Sequence, residues 1–112
     1  MNMATSKSFL EFITEQLSEL EEVKTRPMMG EYLLYYRGKL VGDICDDRLL
    51  VKITPSSEAM LPNAPRELPY DGAKTPMILV DNLDDRDHLK QLLEAMYGEL
   101  PDPKPKKPKK NA

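Results

Sequence analysis

The residues with reactive side chains are few, and their spacing decides most of what the chain can do. Cys45 and His88 are each the sole representative of their type. A zinc site takes three or four soft ligands, commonly at close spacing, and Cys and His alone cannot supply them here. No metal and no other cofactor is therefore expected. Asp43, Asp46 and Asp47 form an acidic group, but paired-carboxylate catalysis needs an acid and a base held in different environments within a cleft. Asp46 and Asp47 fall between two apolar runs, where aspartate is favoured for turn formation alone. The serines have only His88 as a base, so a Ser-His-Asp triad would rest on one residue. Neither phosphate-binding glycine pattern, G-x-x-x-x-G-K-[ST] or G-x-G-x-x-G, occurs in the sequence. The expectation is a protein that is not an enzyme.

Two segments could instead hold a partner. Arg26, Met28, Met29 and Gly30 combine a cation, two adaptable thioethers and a residue that permits a positive-φ bend. Core filling is the competing role for either methionine. Lys104, Lys106, Lys107, Lys109 and Lys110 follow the last apolar run and could meet nucleic-acid phosphates weakly and without sequence preference. They lack the aromatic platform of single-strand binders, and a solubilising tail explains them as well. These five lysines and Asp102 leave residues 102–112 at +4, so with a total of −3 the rest of the chain carries −7. An acidic body argues against a broad nucleic-acid face on the folded part.

The elements that must position these residues follow from periodicity. The chain has 112 residues, 40% apolar and 31% charged, which suits one globular domain over residues 1–100 and an extended Pro/Lys-rich tail over 101–112. Leu10, Ile13, Leu17 and Leu20 predict a helix from Ser6 to Glu22, capped by Thr5, Ser6 or Ser8 and closed before Pro27. Tyr32–Tyr36, Leu40–Cys45 and Leu49–Ile53 predict three strands joined by turns at Arg37-Gly38-Lys39 and Asp46-Asp47. Val23 to Met29 fits an added edge strand, since Pro27 suits an edge. Thr54-Pro55 starts a short helix running to Met60. An irregular proline-rich stretch from Pro62 to Pro76 precedes a strand at Met77–Asp81, and such stretches are often functional. Leu89, Leu92, Leu93 and Met96 mark a final helix with acidic residues in its first turn and Gly98 at its end.

This order predicts an α+β fold of two layers, an antiparallel sheet of four to five strands with N- and C-terminal helices packed on one face. The strand Tyr32–Tyr36 is apolar on both sides, so the face away from the helices needs cover, and a homodimer would provide it. Tyr32 and Tyr36 join the Arg26–Gly30 segment as candidate partner-binding residues. A single cysteine and the absence of an apolar leader or membrane span point to a cytoplasmic protein with no membrane contact.

Arg26, Met28, Gly30, Tyr32, Tyr35 and Gly38 stand in a pattern that resembles the N-terminal domain of the TfoX/Sxy family, bacterial regulators of competence for DNA uptake. Asp47-Arg48-Leu49-Leu50-Val51-Lys52 and the run from Tyr70 to Val80 are similar to later segments of that family, so the resemblance covers roughly residues 8–98. Met29 stands where Phe is usual and Glu31 where a second Gly is common. The resemblance implies a sheet with helices on one side, no known catalytic activity, and a regulatory role through a protein partner such as a transcription regulator. Full-length members carry a second, helical domain that no segment of this sequence would supply. A small-ligand role beneath the Pro62–Pro76 stretch is the third functional class.

Overall fold

A computed structural model describes residues 5–70 and 72–102 of the chain. Its first helix, α1 (Lys7–Gln16), starts at Ser6, whose hydroxyl accepts the Phe9 N–H. It ends six residues before the predicted Glu22. Leu17 and Leu20 are nonetheless buried, carried by turns whose amides bond to Ile13 and Leu17 carbonyls. Their spacing reads as helical because a tight turn keeps nearly the same side facing inward. Glu22, at φ 61°, then reverses the chain into the sheet.

Four strands follow in a meander: β1 (Val23–Met28), β2 (Glu31–Tyr36), β3 (Lys39–Cys45) and β4 (Arg48–Val51). Each adjoining pair is antiparallel and joined by only two residues. All six turn residues have positive φ: Met29 and Gly30, Arg37 and Gly38, Asp46 and Asp47. Two-residue hairpins favour that conformation because its twist matches that of the strands. The edge strand proposed around Pro27 is thus real, and Asp46-Asp47 is a turn as expected.

Thr54 caps α2 (Pro55–Met60), and its side chain and that of Ser57 each accept the other's backbone N–H. The proline-rich stretch contains a strand that the sequence did not announce, β5 (Arg66–Glu67), which pairs with β6 (Met77–Leu79). Strand β6 pairs in turn with β4, giving one six-stranded antiparallel sheet in the order β1-β2-β3-β4-β6-β5. Two residues make too short a run to show alternation, which is why β5 escaped notice. The last helix, α3 (Arg86–Tyr97), is capped by Asp85 through the backbone N–H of His88. His88 therefore meets Asp85 through its amide and not its ring. Gly98 closes the helix at φ −71°, without a left-handed turn.

All three helices contribute to one side of the sheet. Ile13, Leu17, Leu61, Leu89, Leu92, Leu93 and Met96 pack with Leu34, Tyr36, Val41, Ile44, Leu49, Val51 and Ile78 in the main core. The α+β class with helices on a single face is as expected, with a slightly wider sheet. Ile53 departs from the expected face: the strand stops at Val51, and Ile53 is exposed.

A bulge in β3 sets which side chains reach the opposite face. Tyr35 pairs with Leu40 and Leu34 with Gly42, which leaves Val41 as an extra residue. Val41 and Ile44 consequently both enter the helix-side core, while Asp43 and Cys45 turn away from it. Gly42 is indispensable there, since a Cβ would sit 1.9 Å from the Leu50 carbonyl oxygen. Gly42→Ala is expected to destabilise the fold by at least about 2 kcal/mol, because only backbone movement relieves the clash. Gly98→Ala, which meets nothing within 4 Å, is expected to be neutral or mildly stabilising. Urea unfolding of both variants measures the contrast.

Candidate functional site

Strand alternation places Arg26 and Met28 of β1, Glu31, Leu33 and Tyr35 of β2, and Asp43 and Cys45 of β3 on the face away from the helices. Cross-strand partners share a face, as Arg26 does with Leu33 and Leu33 with Asp43. One end of this face is covered by the chain itself. Cys45, Leu50 and Met77 are buried there with Leu79 against them. Arg48 clamps the covering segment: its guanidinium donates to Glu67 Oε1 at 2.6 Å and to the Pro69 carbonyl at 3.2 Å. The Cys45 thiol donates to the same carbonyl at 3.1 Å. The expectation of a wholly uncovered second face is corrected to this extent.

Beyond the clamp the face opens into a cavity of about 770 Å³. Leu33, Leu40, Met28 and Met77 form apolar wall on the sheet side, and Pro69 and Tyr70 come from the covering stretch. A cavity thus lies beneath the proline-rich stretch, where a ligand role was considered. Its polar groups are Asp43 and Lys52, with Lys74 also on its lining. A second hollow of about 440 Å³ adjoins it, sharing Leu40 and Lys52 and bounded by Arg26, Tyr35 and Asp102.

Glu31 and Asp43 are diagonal neighbours across β2 and β3, only 8% and 7% exposed. Burial, then hydrogen bonding and repulsion involving Asp43, push the Glu31 carboxyl up to about 7 from 4.5. Burial also raises the Asp43 carboxyl, against the opposing pull of the Glu31 hydrogen bond and the Lys52 charge. One proton shared across the pair removes most of the repulsion between them. Glu31 Oε1 is buried and has no hydrogen-bond partner.

The segment Arg26–Gly30 is exposed, and Met29 stands 97% accessible at the tip of the first hairpin. Neither methionine there is core. Tyr36, by contrast, is buried and packs edge-on to Tyr97 with ring centroids 5.7 Å apart. Tyr32 is half-buried against the same core. These two tyrosines lie on the helix side, so the structure does not bring them together with Arg26 and Met28. Leu33, Tyr35 and Leu40 occupy the surface beside those residues instead. Lys104, Lys106, Lys107, Lys109 and Lys110 lie outside the described residues. Among the described residues, no group of three His, Cys, Asp or Glu side chains could hold a metal ion, and no helix is long and apolar enough to cross a membrane.

The sequence profile of the TfoX N-terminal domain family matches residues 15–99. The chain belongs to the TfoX N-terminal domain family. A relative within reach of direct comparison is an uncharacterized 12.7 kDa protein in the trpE 5′ region of Spirochaeta aurantia, 36% identical over 107 residues, which are 96% of this chain and 93% of that protein. No solved structure matches the chain. In this member of the TfoX N-terminal domain family, Glu31 and Asp43 were the residues that sequence reasoning missed. Asp43 falls in the expected strand Leu40–Cys45, but its burial beside Glu31 was not foreseen; Glu31 registered only as a departure from a glycine. The available signal was alternation, which sets Glu31, Leu33 and Tyr35 on one face.

Two measurements check this chemistry. Below pH 4.5 Glu31 is protonated whether the chain is folded or not; between 4.5 and about 7 only the folded chain keeps that proton. Stability is therefore expected to fall as pH rises through this window, on the order of 3 kcal/mol for Glu31. Glu31→Gln is expected to flatten the dependence and to be the more stable form at alkaline pH, read by thermal melts from acid to alkaline buffer. Burial pushes the Cys45 thiol up to about 11, with Arg48 drawing it down. Ellman's reagent near neutral pH is expected to react with the native thiol on the order of 100-fold more slowly than with the guanidinium-unfolded chain.

Proposed function

We propose that the chain is a non-enzymatic regulatory module of the competence-regulator type, which acts by holding a protein partner against its first hairpin and the open part of the sheet. Membership of the TfoX N-terminal domain family supports the regulatory assignment. The observation that carries the contact surface is Met29, 97% exposed on a hairpin tip beside Met28 and Arg26. A rigid two-residue turn presenting a flexible thioether is suited to insertion in a partner's apolar pocket. Leu33, Tyr35 and Leu40 extend that surface across the sheet. The partner class is a transcription regulator, and the contact takes place in the cytoplasm.

The test replaces Met29 with a photo-crosslinking residue in the full chain, in cells, with a second probe at exposed Glu11 on α1 as control. Crosslinking of a transcription-regulating protein from position 29 and not from position 11 is the expected outcome. Arg26→Glu with Met29→Asp is expected to weaken that complex by more than about tenfold while leaving the melting curve unchanged. Crosslinks only between copies of the chain would instead make the hairpin a homodimer contact, and equal labelling from both positions would remove the assignment.

A further inference from the structure

The cavity holds features that a docking hairpin does not require. Its walls are apolar, yet its sheet side carries Asp43, whose diagonal neighbour Glu31 is buried outside the lining. Burying two carboxyls on a β-layer is unfavourable unless a cation or a proton compensates them. Lys52 supplies charge from the same lining, but no ion pair within 4.0 Å joins it to Asp43. The cavity therefore presents an anionic site and a cationic site side by side, separated by more than contact distance. Exposed Lys74 adds a second positive group to the lining. A volume of about 770 Å³ lies within the range of small-molecule sites.

We propose that this cavity binds a small zwitterion of the α-amino-acid type with an apolar side chain. The ammonium group of the ligand sits on Asp43, the one carboxyl on the lining. Its carboxylate faces Lys52 and Lys74, and its side chain packs on Leu33, Leu40 and Tyr70. Such a ligand bridges the two charged sites without adding net charge. A simple amine would leave the lysines facing a new cation, and a simple acid would leave Asp43 without one. Seating an ammonium on Asp43 favours the ionised form of the Glu31–Asp43 pair coupled to it, so binding expels the shared proton. The ligand needs no protein partner, so calorimetry on the isolated chain tests the site separately from crosslinking at Met29.

The experiment is isothermal titration of the full chain at pH 6.5 with leucine, methionine and phenylalanine, and with phenethylamine and 3-phenylpropionate as single-charge probes. The expected result is saturable binding of at least one of the three amino acids, about tenfold or more tighter than either single-charge probe. Its heat should vary with the ionisation enthalpy of the buffer, reporting proton release. Asp43→Asn is expected to weaken amino-acid binding by about tenfold or more. Lys52→Gln, a change at a half-buried residue outside the main core, should weaken amino-acid binding while leaving phenethylamine unaffected. Failure of all three amino acids to bind at concentrations on the order of 10 mM overturns the proposal. So does binding of 3-phenylpropionate as tight as that of the amino acids, or a Lys52→Gln variant that folds and binds them unchanged.

Discussion

Strand β3 lies against β4 only because position 42 has no side chain. The Leu50 carbonyl occupies the place a Cβ would take, and the neighbouring bulge at Val41 shifts the alternation by one residue. Without that shift, Asp43 and Val41 would share a face, and either a carboxyl would enter the helix-side core or a valine would leave it. The division of labour between the two faces thus rests on one close backbone approach. The helix-side core becomes apolar, with Lys39 at its edge. The other side receives the Glu31 and Asp43 carboxyls, the Cys45 thiol and the Arg48 guanidinium.

The far side is closed at one end by a segment that polar contacts hold down. Arg48 reaches Glu67 and the Pro69 carbonyl from β4, and Cys45 meets the same carbonyl from β3. Since the thiol is both buried and engaged as a donor, its role is to hold the cover and not to react. The helical layer has a comparable tie at its far end. Lys39 donates to the Tyr97 carbonyl at 2.9 Å while its ammonium lies 4.1 Å from the centre of the Tyr97 ring. A lysine at 8% exposure is tolerated because these contacts replace its water.

Much of this architecture was legible in the residues. Leu89, Leu92, Leu93 and Met96 declared α3, Thr54-Pro55 declared the start of α2, and the glycines at 30 and 38 located two of the three hairpin turns. Family membership was legible from the same hairpin. What escaped depends on register and on distant contacts. Turns at 17–22 mimic helical spacing, so α1 was drawn too long. Strand β5 is two residues long and exists only because β6 is there to pair with it. The bulge at Val41 has no signature in a run such as Leu-Val-Gly-Asp-Ile, and until it is placed the face of Asp43 is undetermined. Tyr32 and Tyr36 were read as surface because a strand apolar on both sides does not say which side the helices take. The place of the cavity beneath the proline-rich stretch was legible, but its charged lining of Asp43, Lys52 and Lys74 was not, because that stretch has no periodicity to set its register against the sheet.

The three two-residue turns bear on how the chain finds this structure. Among themselves, strands β1 to β4 pair only as neighbours in sequence, so each of these contacts closes a very short loop and loses little chain entropy. Hairpins of this kind form within microseconds. Strand β6 must instead join β4 across more than twenty residues, and α3 must then cover a sheet already laid down. The meander is suited to act as an early template, with the far face and its cover completed last.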